Sequence, residues 1–267
     1  MNGATPVHLW LDRLEARLVG LADPVVSRAL VVAETGSTQD AARRMAGRSP
    51  GLVVVADRQT AGRGRRGRAW IDAPDSSLAM TLALDAHAHP GASVALAAGV
   101  GVCQACAGFV PRGSLGVKWP NDIVDRETDR KVAGVLIETA GPLLLVGIGI
   151  NASHAPGALA EAGLPEAVSL AELAGEPIDR IELACAVLGE LMAVLAGPES
   201  AAIERWRTLE TLTGTHQAFE HDGRVVSGLV ESIEPTLTLV VRTETGLVRL
   251  PAMSTSVING NDAQHAV

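Results

Sequence analysis

The sequence predicts an α/β chain of the α+β type: a sheet packed with helices, followed by a small β-barrel. Three observations carry this. The chain has 267 residues, 47% of them hydrophobic and 19% charged, which is enough apolar material for one sizeable domain and a small one. Up to about residue 212, apolar stretches at helical spacing alternate with short unbroken apolar runs of strand length. From about Gly214 the pattern changes to short alternating strands with turn signals at Asp222-Gly223, Glu234-Pro235 and Thr245-Gly246. We therefore expect two units, 1–212 and 213–267.

The elements follow in order. Trp10, Leu14, Leu18 and Leu21 recur at helical spacing and predict a helix from Val7 to Ala22, ending before Pro24. Leu30 to Ala33 reads as a strand, and Thr35-Gly36-Ser37-Thr38 as a turn whose hydroxyls cap a helix starting near Gln39. The apolar run Leu52 to Ala56 is a buried strand leading into an Arg- and Gly-rich loop, Gln59 to Trp70, and Leu78 to Leu84 is the next strand. A small-residue helix, Ser93 to Phe109, precedes three extended segments, Gly116 to Trp119, Lys131 to Glu138 and Leu143 to Ile150, with an exposed polar turn at Asp125 to Arg130. Asp179 to Ala196 and Glu199 to Leu209 are helices separated by Gly197-Pro198. The first unit is then a sheet with helices on one face.

Composition excludes several classes of function. A net charge of −8 disfavours wide electrostatic binding of DNA or RNA. The apolar run Ala92 to Val110 is mostly Ala and Gly with Gln104 inside it, which suits a packed helix better than a membrane span, and the N-terminus lacks the character of a secretory signal. Three cysteines agree with a reducing compartment, so we expect a cytoplasmic protein. Cys103 and Cys106 form a C-x-x-C without a second ligand pair at metal spacing, and read as part of an apolar helix.

The positive charges are uneven: 20 Arg but only 2 Lys, Lys118 and Lys131. A lysine kept in such a chain suggests a place where a compact, rotatable ammonium suits the task. Both lie within motifs. Lys118-Trp119-Pro120-Asn121-Asp122 ends a short strand at proline and delivers an amide and a carboxylate, able to orient a nucleophile or a metal ion or simply to close a turn. Lys131 opens Lys131-Val132-Ala133-Gly134, and Gly147-Ile148-Gly149-Ile150-Asn151 follows. Glycines within strands leave space, so a flat ligand can lie over Gly134, Gly147 and Gly149 with Asn151 reading a polar edge; close crossing of buried strands is the alternative. Gly62, Gly64 and Gly67 satisfy G-x-G-x-x-G, but no apolar helical stripe follows, as a dinucleotide-binding unit requires. With Arg63, Arg65, Arg66 and Arg68 interleaved, the loop reads instead as an anion site.

Together these segments resemble the biotin-protein ligase family: Gly36-Ser37-Thr38, the stretch Gln59 to Arg68 with Trp70, Lys118 to Asp122, Lys131 to Glu138 and Gly147 to Asn151, in that order and spacing. The resemblance covers about residues 30 to 155. It implies a mixed sheet packed with helices, related to lipoate ligases and class II aminoacyl-tRNA synthetases, with an SH3-like C-terminal barrel. It implies ATP-dependent activation of biotin to its adenylate and transfer to a lysine of a biotin carrier protein such as that of acetyl-CoA carboxylase, with Mg²⁺ accompanying ATP. By the same resemblance Ser37, Thr38, Gln39, Gln59, Gly62, Arg63, Gly64, Arg65, Lys131, Gly134, Gly147 and Gly149 surround biotin. Arg65, Arg68, Trp70, Asn121, Lys131 and Asn151 serve ATP or the adenylate, and Arg63, Arg65, Lys118, Asp122 and Lys131 carry the chemistry, with metal ligands left open. Gln39 stands where the family usually has Asn. Fewer than about thirty residues precede the first core strand, below the size that folds unaided, so operator binding is not expected; a homodimer through sheet edges is possible. The alternatives are a lipoate-type ligase or transferase of the same fold and a biotin-binding regulator without turnover. The adenylate needs cover from water, and the Arg-Gly loop is the expected cover.

Overall fold

A computed structural model describes residues 4–21, 25–72, 75–235, 238–252 and 254–258. Ala22 and Pro24, expected at the end of the first helix, and residues 259–267 of the expected C-terminal unit lie outside these. The chain opens with a 3₁₀ turn, Val7–Leu9, running into α1 (Trp10–Val19), which buries Trp10, Leu14 and Leu18 on one stripe. There follow β1 (Arg28–Thr35), α2 (Thr38–Ala46) and β2 (Leu52–Gln59). The Arg-Gly segment is not a plain loop. It contains a two-rung ladder of β3 (Gly62–Arg63) with β4 (Ala69–Trp70), closed by a 3₁₀ turn at Arg65–Gly67.

Then come β5 (Ser77–Asp85), α3 (Gly91–Ala107), β6 (Leu115–Lys118), β7 (Asp122–Asp125), β8 (Lys131–Ala140) and β9 (Leu143–Asn151). The short α4 (Ala158–Glu161) and α5 (Leu170–Ala174) lead to α6 (Arg180–Ala196) and α7 (Glu199–Leu209). The three short elements β7, α4 and α5 carry too few periodic apolar residues to be read from sequence. The main sheet runs β1-β2-β5-β9-β8-β7-β6; β1 and β2 are parallel and all other neighbours antiparallel, so it is mixed.

Alternation along the central strands assigns the two faces. Val53 and Val55 of β2, with Leu144, Val146, Ile148 and Ile150 of β9, join the large core under α1, α3 and α6. Leu52 and Val54, with Leu143 and Leu145, pack on Ala41, Ala42 and Ala46 of α2. Helices therefore cover both faces rather than one: α2 is short and polar on its outer side, which hid its packing stripe of alanines from a reading of large apolar residues. By strand period, Gly147, Gly149 and Asn151 continue the α2 face beyond the end of that helix.

Five further strands, β10 (His216–His221), β11 (Arg224–Glu234), β12 (Thr238–Thr243), β13 (Gly246–Pro251) and β14 (Thr255–Ile258), form an antiparallel sheet in the order β13-β12-β11-β10-β14. Its buried Phe219, Val230, Leu239, Val241 and Leu250 are continuous with the large core.

The crossing of α3 and α6 depends on Gly101, where a Cβ would stand 2.8 Å from Leu191 Cα and 2.9 Å from its nitrogen. Alanine gains about 1 kcal/mol of helix propensity there, but forcing two helix backbones apart costs about 1–3 kcal/mol. Gly101→Ala is expected to lower stability, read as a lower urea midpoint with unchanged slope.

Candidate active site

A cleft of about 260 Å³ opens on the α2 face, above β9 and β8. Its floor exists because β8 and β9 carry glycine on that face, yet the space over each glycine already holds a side chain of the protein. A Cβ at Gly147 would stand 2.4 Å from Gln39 Nε2, one at Gly149 would be 2.6 Å from the Trp70 ring, and one at Gly134 would be 2.9 Å from Lys131 Nζ. Directly over these three glycines lie an amide, an indole and an ammonium, which form the inner wall.

The uncharged end of the cleft is built by the start of α2. Ser37 caps that helix, its hydroxyl accepting from Gln39 N. Gln59, at the end of β2, accepts through Oε1 from Thr38 N at 2.8 Å and Thr38 Oγ1 at 3.1 Å, while Thr81 Oγ1 donates to Thr38 Oγ1 at 2.8 Å. Gln39 is buried; its Nε2 donates to the Leu136 carbonyl at 2.9 Å, and its Oε1 has no partner among the described residues. The longer reach of Gln is therefore used to cross β9 at Gly147 and grip β8.

The charged end gathers both lysines and the loop arginines. Lys131 Nζ lies 2.7 Å from Asp122 Oδ1 and 5.9 Å from the centre of the Trp70 ring. Lys118, buried at the end of β6, is ion-paired with Asp129 of the polar turn. Arg65 donates to Asn121 Oδ1 at 3.0 Å and to the Ala252 carbonyl at 2.9 Å, and Asn121 in turn donates to the Val135 carbonyl at 2.8 Å. Asn151 is buried, its amide donating to the Lys131 carbonyl at 3.1 Å. Arg63 forms a bidentate pair with Asp40 at 2.6 and 2.9 Å and approaches Glu138 at 3.7 Å; its hydrogen bonds hold the Asp40 carboxyl below the ordinary range. Arg63 thereby fastens the loop to α2. Gly64 and Arg68 line the cleft beside them.

Chemically, a neutral pocket rich in amide and hydroxyl groups adjoins a strip of cations and an aromatic plane. Such a cleft suits an uncharged polar head group joined to an acidic chain and a nucleotide.

The sequence matches the model of the biotin/lipoate A/B protein ligase family over residues 31–153. The biotin–[acetyl-CoA-carboxylase] ligase of Mycobacterium tuberculosis is 35% identical over 217 residues, 76% of this chain and 79% of that protein. The chain belongs to this family. The bifunctional ligase/repressor BirA of Bacillus subtilis is 34% identical over 174 residues, 60% of this chain, and the match spans about half, 52%, of that relative's length. Among solved structures, the biotin protein ligase from Aquifex aeolicus in complex with biotin and ATP superposes with a TM-score of 0.75 at 25% identity, covering 87% of this chain and 99% of that one.

Every residue expected at the site from the family resemblance lines this cleft except Gly62. A Cβ at Gly62 would stand 2.4 Å from Gln59 Nε2 and 2.8 Å from the Trp70 carbonyl, so its contribution is to let β3 fold back against β4. Several walls lie outside the motifs. Leu164 and Ala167 come from the segment that pairs with the Lys131 backbone, and Ser256 and Val257 come from β14. Neither carries a local signal, because ordinary apolar or small residues are placed there by tertiary contact alone. The partners Asp40, Asp129 and Glu138 had a weak signal only, as acidic residues near cationic motifs.

Because the Trp70 ring occupies the space over Gly149, Gly149→Ala is expected to expel the ring and loosen the loop. Overpacking of about 1–3 kcal/mol corresponds to on the order of tenfold faster tryptic cleavage between Arg63 and Arg68, read by mass spectrometry of early fragments.

Proposed function

We propose that the chain is a biotin–[acetyl-CoA-carboxylase] ligase, which activates biotin with ATP to biotinyl-5′-AMP and pyrophosphate and then transfers biotin to a lysine of a carrier protein. The observation that carries this reading is the adjacency, in one cleft, of the Thr38–Gln39–Gln59 pocket and the cations Arg65, Arg68, Lys118 and Lys131. The first suits a ureido ring, which both donates and accepts hydrogen bonds; Gln39 Oε1 supplies an acceptor for it. The second suits a carboxylate meeting a triphosphate.

In the first step a carboxylate oxygen of biotin forms a bond to the α-phosphorus as the bond from that phosphorus to the bridging oxygen of pyrophosphate breaks. Several negative charges converge, and cations fixed beforehand offset their repulsion without reorganising. Lys131 sits where its ammonium can leave Asp122 for the phosphoryl oxygens, and Arg65 is held from both sides by Asn121 and the Ala252 carbonyl. Trp70, seated on Gly149, offers its plane to the adenine, and Asn151 offers an amide edge. Among the described residues no group of three His, Cys, Asp or Glu side chains stands ready for a metal; the residues present fit Mg²⁺ arriving on the phosphates, with Asp122 as the adjacent carboxylate, where it would neutralise developing charge.

In the second step the carrier's neutral amine attacks the acyl carbon and AMP leaves. Asp122, no longer paired once Lys131 turns to phosphate, is placed to take the amine proton. A thiol route is disfavoured: none of the three cysteines lines the cleft, and burial pushes Cys103 up to about 12 and Cys185 up to about 11. We read residues 1–212 as the catalytic unit and 213–267 as a C-terminal unit closing one side of the cleft. No helix among the described residues is long and apolar enough to cross a membrane, in keeping with a cytoplasmic enzyme.

Pyrophosphate release from ATP and Mg²⁺ is expected with biotin and not with lipoate, with biotinyl-adenylate identified by mass spectrometry; release with lipoate alone overturns the reading in favour of the lipoate relatives. Lys131→Ala is expected to slow this release by roughly a hundredfold or more, and an unchanged rate removes Lys131 from the chemistry.

A further inference from the structure

The Arg-Gly segment leaves β2 after Gln59 and returns at Asp72, so both its ends meet at one point. There the Asp72 carboxylate accepts the Gln59 backbone N–H through Oδ2 at 2.6 Å. Ser77 is buried and lies 3.4 Å through Oγ from Nε2 of the buried His154. Burial pushes the Asp72 carboxyl above the ordinary range, with the Gln59 amide, Ser77 and the Arg180 charge acting against that rise. An ionisable side chain at such a position carries a desolvation cost that a neutral acceptor would avoid.

The residue it holds is not an ordinary one. Gln59 is the acceptor for Thr38 N and Oγ1 at the uncharged end of the cleft, and Trp70, two residues before Asp72, is the indole on Gly149. One carboxylate thus fixes the Gln59 backbone, the close of the loop and, through these, two walls of the cleft. It does not itself line the cleft.

We propose that Asp72 is a positioning residue for the acid substrate: by buckling the two ends of the Arg-Gly segment together through Gln59, it sets the affinity of the cleft for biotin without touching it. This rests on the biotin reading above. The effect belongs in substrate affinity rather than in the chemical step, because three of the four cations that meet the phosphates are held by other contacts: Arg65 by Asn121 and Ala252, Lys131 by Asp122, Lys118 by Asp129.

The test compares the full chain with Asp72→Ala, which removes the acceptor, and Asp72→Asn, which keeps it and removes the charge. Asp72→Ala is expected to raise KM for biotin about tenfold, the scale of one lost charge-assisted hydrogen bond, with kcat within about threefold and a smaller rise in KM for ATP, whose adenine meets Trp70. Tryptic cleavage after Arg63, Arg65 or Arg68 should quicken in parallel, and Asp72→Asn should restore both readouts. A KM for biotin and a cleavage rate that stay at wild-type values in Asp72→Ala overturn the proposal. So does a loss of thermal stability and kcat with KM unchanged, which makes Asp72 a strut of the fold only. Should Asp72→Ala not fold, Asp72→Ser, whose shorter side chain withdraws the acceptor, is judged by the same readouts. If wild-type protein releases no pyrophosphate with biotin, the biotin reading fails by itself; the buckle then stands on faster loop cleavage in Asp72→Ala restored in Asp72→Asn, and falls if cleavage is equal.

Discussion

The cleft depends on a constraint in β8 and β9: on the face turned toward α2, three positions must have no side chain. Elsewhere that face is filled by Leu143, Leu145 and the alanines of α2. Past the end of the helix the strands continue with Gly134, Gly147 and Gly149, and the sheet becomes a bare surface on which Lys131, Gln39 and Trp70 lie flat. Each comes from a different part of the chain, so removal of a few methyl groups' worth of volume brings together a strand end, a helix start and a loop. The opposite face of the same strands stays apolar under α3 and α6, and its close packing gives the floor its rigidity.

A second level of organisation is the fastening of the Arg-Gly segment. Its cations would repel one another if left free, and the structure distributes them among fixed partners: Arg63 to α2, Arg65 to the turn after Pro120 and to the C-terminal sheet. The ladder of Gly62 with Trp70 and of Arg63 with Ala69 sets the register of the segment that carries these arginines. The C-terminal sheet thereby becomes part of the site, through the Ala252 carbonyl and through Ser256 and Val257, although its own sequence is a run of short strands with no functional motif.

Much of this was legible in the residues. The glycine spacing in Gly147-Ile148-Gly149 and the scarcity of lysine pointed to the floor and to both ammonium groups, because an unusual residue type at an unusual place needs a local physical reason. The long helices and central strands followed from apolar periodicity. What stayed hidden depends on contacts between distant segments. Nothing in Ala41, Ala42 and Ala46 announces that they cover the second face of the sheet, since alanine serves exposed and packed helix positions equally well. The strand Asp122–Asp125 is four residues long and begins inside a motif that reads as a turn. Gly62 carries the family's motif, and what crowds its Cβ position, the Gln59 amide and the Trp70 carbonyl, appears only once the segment is folded. Gln39 differs from its usual counterpart by one methylene, and only the register of Gly147 opposite Leu136 shows where that methylene goes.

The net charge of −8 and the function of an anion-binding cleft are reconciled by where the acids sit. Asp40, Asp122 and Asp129 pair with Arg63, Lys131 and Lys118. A buried ammonium such as that of Lys118 is costly without a counter-charge, so these acids make it possible to store cations in the cleft before any substrate arrives. On the function proposed above, anionic substrates bind by exchange, a phosphate or carboxylate oxygen replacing an aspartate, rather than by filling an unscreened positive field. Exchange favours ligands that present several oxygens at the right spacing, because a single anion gains little over the carboxylate it displaces. A triphosphate beside a carboxylate meets that condition, whereas isolated anions do not.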